Sequence, residues 1–322
     1  MKPKILVTRK ISDSVEDKIA QNFEATFNKN DEPIPYDELI KKANEYDGMI
    51  VTSWDKLDEN FFNQMNGKLK IISTCAVGYD NINLNAAKAK NITITNAPNV
   101  LNDAVAETTL LLMLGASRRA HEGLKLVKSG KWIDAKVDFT NFMVGQSLTG
   151  KTVGIIGMGR IGQIVAKRAK AFDMNVIYHN RKKLIPELEK GAKYYETVNS
   201  MMPDCDFVSI HCPATSETKY IMNAEAIALL PKHAIVINTS RGLTVNDDAL
   251  IEALQNNKIY AAGLDVFNGE PKLDERYLSL DNCFTLPHIG SANYETRTAM
   301  SMMTFKNMDS FFNKKPLISE VV

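Results

Sequence analysis

The sequence predicts an α/β protein built from two doubly wound parallel sheets. Three observations lead there. Its 322 residues exceed one ordinary core and suit two compact domains. Short runs of apolar and β-branched residues alternate with helix-like stretches along nearly the whole chain. The alternation falls into two blocks, one ending near Pro98 and one opening at Lys151. Strands that read as continuous apolar runs are buried on both faces, which is the habit of parallel sheets covered by helices.

In the first block the strands are KILVTR, GMIVTS, KIISTCAV and NITITNA, with PYDELIKKANEY and LNAAKAK as intervening helices. A single long helical pattern then runs from Asn102 to Ser129. Its first half, AVAETTLLLMLGAS, is apolar on most sides and predicts burial between other elements. The stretch WIDAKVDFTNFMVGQSLTG has no clear period and reads as an arm or loop that covers a partner subunit. The second block offers TVGIIG, NVIYHN, FVSIHCP, AIVINTS, IYAAGLDVF and CFTLP as strands, with RIGQIVAKRAKAF and VNDDALIEALQNN as helices. The final segment, from Ser291 to Lys315, places Met302, Phe305, Met308 and Phe312 at steps of three to four residues, one apolar helical face that reads as core packing.

Composition narrows the function. Hydrophobic residues make up 44% and charged residues 24%, the balance of a globular protein. A formal net charge of +1 offers no field for nucleic acid or a membrane surface. No apolar run is long enough to span a bilayer, and the N-terminus lacks the apolar core of a signal peptide. The 4 cysteines, Cys75, Cys205, Cys212 and Cys283, are scattered without CxxC spacing. They read as reduced thiols of a cytoplasmic protein, not as a disulfide framework or metal site.

The strand TVGIIG runs into Gly157, Gly159 and Gly162, spaced G-x-G-x-x-G, and a helix follows at once. That context gives the pattern its meaning. Gly157 permits the tight turn, Gly159 lets a pyrophosphate approach the backbone, and Gly162 lets helix and strand pack closely. The N–H groups of the helix's first turn then face the phosphates. The chain is thus expected to bind a dinucleotide on a Rossmann-like domain.

The second strand of that unit, NVIYHN, ends at Asn180, where an acidic residue commonly meets the adenosine ribose of NAD. A carboxylate there repels a 2′-phosphate, whereas the Asn180 amide can donate to one. Arg181 can grip phosphate with two prongs, and Lys182 and Lys183 add positive potential. The expectation is a preference for NADP(H), with NAD(H) possible. The alternative is that Arg181 only stacks on adenine and either cofactor serves.

Three motifs follow later strands: NTSRG with Arg241, GLDVFNGEP with Glu270 and LPHIGSA with His288. Ligands of such sheets sit at the carboxyl ends of strands, so the three side chains can converge. A guanidinium, a carboxylate and an imidazole suit reduction of a 2-oxo acid. Arg241 grips a carboxylate and polarises a carbonyl, His288 supplies a proton, and Glu270 orients the imidazole and stabilises its protonated form. No other histidine has such partners. His211, beside Cys212 and Pro213, is balanced between cofactor proximity and packing, and no spacing supports a metal site.

The stretches CAVGYDNI, NAPNVLNDAVAE, GKTVGIIGMGRIGQ, HCPATSET, INTSRG, GLDVFNGEP and LPHIGSA together resemble the D-isomer-specific 2-hydroxyacid dehydrogenases, over essentially the whole chain, and within them the glyoxylate and hydroxypyruvate reductases. The resemblance implies two Rossmann-like domains, with a discontinuous, flavodoxin-like substrate domain from residues 1–100 and 289–322 and a coenzyme domain from 101–288. It implies substrate binding by Arg241, by the backbone N–H groups of Val77 and Gly78, and by Trp54 on a loop at the pocket mouth. It assigns Glu270 as partner of His288, and His288 as general acid–base. It extends the cofactor set beyond the three glycines, Asn180, Arg181 and Lys182 to Met158, Arg160, Ile161, Cys212, Pro213, Thr218, Thr239, Ser240, Asp265 and Gly290, with Asp265 near the nicotinamide carboxamide. A homodimer is implied through the apolar helix and the arm. Substrate size is expected to depend on Trp54 and on the Phe139–Phe142 stretch. Two alternatives stay open: a larger substrate such as 2-ketogluconate, and a non-enzymatic nucleotide-sensing protein like the corepressors of this fold.

Overall fold

The computed structural model describes all 322 residues and divides into two compact units, residues 1–101 with 291–322, and residues 102–290. Both are α/β units with wholly parallel sheets. No helix is long and apolar enough to cross a membrane.

The first unit holds strands β1 (Lys4–Val7), β2 (Glu24–Phe27), β3 (Gly48–Val51), β4 (Ile71–Thr74) and β5 (Thr93–Thr95) in the order β2-β1-β3-β4-β5. Residues alternate between two apolar layers. Leu6 joins Met49, Val51 and Ile72 on one face, while Ile5 and Val7 join Ile50 and Ile71 on the other. β2 is absent from the sequence reading because it is an edge strand with an exposed–intermediate pattern, and only one face of it is shielded.

The helix Tyr294–Phe312 closes the second layer, and Met302, Phe305, Met308 and Phe312 all pack into it as the period predicts. Its most buried stripe, however, is largely polar: Thr296, Ser301, Thr304 and Asn307 lie inside. Asn307 Oδ1 accepts from the N–H groups of Ile318 (3.0 Å) and Ser319 (3.3 Å), and its amide donates to Ser319 Oγ at 2.8 Å. A buried amide with these partners satisfies the backbone of the C-terminal tail, which runs beside β5.

The second unit holds β6 (Thr152–Ile156), β7 (Asn175–His179), β8 (Lys193–Tyr195), β9 (Phe207–Ile210), β10 (Ile235–Asn238), β11 (Ala261–Leu264) and β12 (Cys283–Thr285), in the order β12-β11-β10-β9-β6-β7-β8. β8 also escapes the sequence reading, being a three-residue edge strand with one exposed and two intermediate residues. Ile156, Val208 and Val236 face one apolar layer, and Val153, Ile155, Ile235 and Ile237 the other.

The expected single helix from Asn102 to Ser129 is two helices, Asn102–Ser117 and Ala120–Lys128. Arg119 between them takes a left-handed conformation (φ 54°), and the carbonyl of Ser117 accepts instead from Gln146 N–H at 2.8 Å. The arm therefore caps the first helix and bends the chain, which a helical period cannot reveal. The first helix is buried along most of its length, as expected.

The arm that carries Phe139 and Phe142 lies at one edge of its own sheet. The arm is tied to the amino ends of the strands: Gln146 Nε2 donates to His233 O just before β10, and Tyr260 just before β11 donates to Val144 O at 3.5 Å. Phe139 itself is almost fully exposed. The loops bearing Arg241, Glu270 and His288 leave the opposite, carboxyl edge.

Candidate active site

β6 delivers the chain into the glycine turn. Gly157 has φ 93°, and a Cβ there would fall 2.6 Å from the backbone nitrogen of Cys212, so only glycine allows the turn and its approach to the loop after β9. A Cβ on Gly159, by contrast, would meet nothing within 4 Å. That side is open, and the helix Arg160–Ala171 starts there with no side chain capping its first N–H groups. Open backbone, unspent donors and the positive end of a helix fit a pyrophosphate. Met158 completes the turn, and Arg160, Ile161 and Gly162 open the helix.

At the end of β7, Asn180 Oδ1 accepts the Met158 N–H at 2.7 Å. A backbone N–H meets only an acceptor, so this bond orients the amide and leaves Nδ2 as the donor for a ligand. The amide oxygen is thus committed to the glycine turn, a contact the sequence did not suggest. Arg181 is 86% exposed and lies 3.6 Å from Glu217 Oε2, an acid that the sequence reading passed over although it stands in the HCPATSET motif. Lys182 is exposed beside it.

Two further residues hold the loop that carries these charges. The Tyr178 hydroxyl donates to Glu189 Oε1 at 2.6 Å and accepts from Leu184 N–H at 2.9 Å, and Tyr194 donates to Asn180 O at 3.3 Å. Only an alternating aromatic in β7 could have hinted at this.

The loop after β9 carries Cys212, whose thiol is buried and pushed up to about 11 by burial, and exposed Pro213. Thr218 spends its hydroxyl inside this loop, donating to Pro213 O at 2.5 Å and accepting from Thr215 N–H at 2.8 Å. His211 Nε2 lies 2.8 Å from Ser209 Oγ, and His179 Nδ1 lies 3.0 Å from Tyr195 O, so both rings are engaged by the protein.

β10, β11 and β12 are neighbours, and their carboxyl ends bring the expected catalytic groups onto adjacent loops. Asn238 shapes the first: its Oδ1 accepts from Ser240 N–H (3.0 Å) and Oγ (2.9 Å), and its amide donates to Arg241 O at 2.9 Å. Thr239 is buried, its hydroxyl 3.0 Å from that of Thr109. Arg241 Nη1 donates to Ser240 O at 2.8 Å. Gly242 presses on the next loop so closely that a Cβ would lie 2.0 Å from the carbonyl carbon of Phe267. Any other residue there would push Arg241's loop off the loop of Glu270.

Glu270 is held at both oxygens. Oε1 accepts the Phe267 N–H at 2.6 Å, and Oε2 lies 2.6 Å from Nδ1 of His288. A carboxylate at Nδ1 assigns the ring proton to that nitrogen and presents Nε2 outward. His288 occupies a left-handed conformation (φ 53°). That costs a side-chain residue about 1–2 kcal/mol. Asp265 offsets the cost: Oδ1 accepts Ile289 N–H at 2.7 Å and Oδ2 accepts Gly290 N–H at 2.8 Å. Hydrogen bonds to a charged group contribute about 1.5–3 kcal/mol each, so the clamp prevails. Burial raises the Asp265 carboxyl above its usual range, and these two N–H groups work against that rise. Asp265 and Gly290, expected as cofactor contacts, thus also shape the His288 turn.

In the first unit, Val77 and Gly78 follow β4, and neither backbone N–H donates to a protein acceptor. Asn96 Nδ2 fixes the turn by donating to Val77 O at 2.8 Å. Trp54 follows β3, half exposed. No group of three or more histidine, cysteine or acidic side chains is arranged to hold a metal.

A family model described as "D-isomer specific 2-hydroxyacid dehydrogenase, NAD binding domain" matches residues 110–290. The glyoxylate reductase of Thermococcus litoralis is 41% identical over 97% of this chain and 94% of its own length. The glycerate dehydrogenase of Hyphomicrobium methylovorum is 36% identical over 97% and 96%. Among solved structures, the NADPH-dependent glyoxylate/hydroxypyruvate reductase of Sinorhizobium meliloti, in complex with NADP and malonate, aligns with a TM-score of 0.88 at 32% identity, covering 100% of this chain and 97% of that one. With the glycine turn, the Glu270–His288 pair and full-length similarity in agreement, the chain belongs to the D-isomer specific 2-hydroxyacid dehydrogenases.

Proposed function

We propose that this enzyme reduces a small 2-oxo acid, glyoxylate or hydroxypyruvate, to glycolate or D-glycerate, with NADP(H) preferred and NAD(H) usable. The observation that carries the reading is the 2.6 Å pair of Glu270 and His288 at the carboxyl edge of a sheet whose glycine turn fits a pyrophosphate. The glyoxylate reductase and glycerate dehydrogenase names of the relatives support the substrate class.

A nicotinamide held on the coenzyme unit would supply a hydride to C2 of the acid. His288 Nε2 gives its proton to the carbonyl oxygen as negative charge grows there. Glu270 holds the ring by Nδ1 and balances its charge, while Phe267 N–H keeps the carboxylate from turning away. Arg241 stabilises the charge on the oxygen and grips the carboxylate. In the other unit, Val77 and Gly78 offer N–H groups suited to a carboxylate. Residues 102–290 act as the coenzyme domain, and residues 1–101 with 291–322 as the substrate domain. Asn180 Nδ2, Arg181 and Lys182 favour a 2′-phosphate, since no carboxylate stands at the end of β7.

The enzyme acts as a homodimer. Leu111, Leu114, Leu124, Val127, Trp132, Ile133 and Phe139 form an exposed apolar band on the first two helices and the arm of this unit, of the kind a second copy covers. Four buried, unpaired thiols suit a reducing cytoplasm. Measuring kcat/KM for glyoxylate and hydroxypyruvate with NADPH and NADH tests the reading. No turnover of either acid would overturn it, and equal efficiency with both cofactors would remove the NADPH preference.

A further inference from the structure

In the sheet β2-β1-β3-β4-β5 the direction of growth reverses between β1 and β3. The connections that leave the carboxyl ends of such a pair run to opposite faces of the sheet, and the crevice between them is where open parallel sheets ordinarily receive a ligand. Here the protein places its own carboxylate across it. Asp55 is 7% exposed, and its Oδ2 accepts from Thr8 Oγ1 just past β1 (2.7 Å) and from Thr52 N–H (2.8 Å) and Oγ1 (3.2 Å) just past β3.

The same residues hold Trp54. Its N–H donates to Thr52 Oγ1 at 3.4 Å. Asn81 Nδ2 donates to the carbonyls of Asp55 (2.7 Å) and Thr52 (3.2 Å). Leu57 N–H returns a bond to Asn81 O at 3.0 Å. One network therefore joins the end of β1, the turn bearing Trp54, and the segment that continues from Val77 and Gly78.

We propose that Asp55 is a positioning residue that fills the sheet's crevice, sets the Trp54 turn against the Val77–Gly78 strand end, and so determines the size of 2-oxo acid admitted. The role rests on the function proposed above. Filling the crevice with a fixed anion keeps a substrate carboxylate away from β1 and β3 and directs it to the unspent N–H groups after β4. Burial raises the Asp55 carboxyl above its usual range, and the three donors and the nearby charge of Arg9 work against that rise. The carboxylate is thus a held group with no lone pair to spare on Oδ2 for solvent, as suits a strut.

The test compares the wild type with Asp55→Ala and Asp55→Asn. It measures kcat and KM for glyoxylate, kcat/KM for phenylpyruvate as a bulky 2-oxo acid, and KM for NADPH. In Asp55→Ala the glyoxylate KM rises about tenfold or more with kcat changed less than about threefold, and the glyoxylate-to-phenylpyruvate kcat/KM ratio falls about tenfold. KM for NADPH stays put, and Asp55→Asn, which retains an acceptor oxygen, recovers most of the ratio. A general loss of folded protein would lower both substrates together and leave the ratio alone. A ratio unchanged in Asp55→Ala overturns the role. Should that variant not fold, Thr8→Val removes the β1 donor only, and its ratio is read in the same two ways. Wild-type turnover of glyoxylate tests the underlying function separately, so the two ideas fail by different measurements.

Discussion

Glu270 Oε2 stands 2.6 Å from Nδ1 of His288 while the other oxygen of the same carboxylate takes the Phe267 N–H at the same distance. The imidazole is therefore held by a group that is itself held. Its ring orientation is set by a carboxylate that the backbone of its own loop holds in place.

Removing the proposed proton donor tests this arrangement directly. His288→Ala should lower kcat for glyoxylate by about 10²–10⁴-fold and leave the dissociation constant of NADPH within about threefold. Glu270→Gln keeps an oxygen for Nδ1–H but loses the charge, so its kcat loss should be smaller than that of His288→Ala. A His288→Ala enzyme with wild-type kcat would remove the residue from proton transfer.

The Asn180 contact sharpens the cofactor test. Asn180→Asp preserves an acceptor for Met158 N–H, so the glycine turn should stay intact while a negative charge replaces the Nδ2 donors. The NADPH-to-NADH ratio of kcat/KM should fall about tenfold or more. Glu217→Gln should move it the other way, because it releases Arg181 from its nearby acid. The pair is exposed, so the gain should be only about two- to fivefold. Unchanged ratios in both variants would show that this loop does not read the 2′ position.

The thiols give a pH dependence of known sign. Burial pushes Cys75 and Cys212 up to about 11 and Cys205 and Cys283 up to about 12. Unfolded thiols ionise near about 8.5. A raised folded value means that stability is fully present below that pH and is lost as pH climbs towards 11 and 12, by about 1.4 kcal/mol per thiol per unit. Urea midpoints should therefore fall between about pH 8 and pH 10, and native protein at about pH 8 should resist iodoacetamide until urea is added. Rapid labelling of the native enzyme would contradict this burial.

The apolar band makes the assembly testable by light scattering. Ile133 is 89% and Phe139 98% exposed, so Ile133→Glu with Phe139→Glu should leave the fold unharmed while converting a dimer to a monomer. A wild type that is monomeric at micromolar concentration would dismiss the proposed partner.

The strands with buried residues, β1, β3 to β7 and β9 to β12, were visible as apolar runs. β2 and β8 were not, since neither has a buried residue and their composition resembles a loop. The break at Arg119 was equally hidden: the helical period continues through it, and only Gln146, distant in sequence, takes over the carbonyl of Ser117.

The site divides along the same line. Glycines with a spacing, and an arginine, a glutamate and a histidine each placed after a strand, are local patterns, so a linear reading reaches the chemistry and the cofactor class. Asp265 clamping the His288 turn, Gly242 seating Arg241's loop and Asp55 bridging β1 and β3 are contacts between segments far apart in the chain. Several of them use backbone atoms, which every residue has and no sequence can mark. Which residues do chemistry is a property of side-chain type and local context; how those residues are held is a property of distances that exist only after the strands have paired.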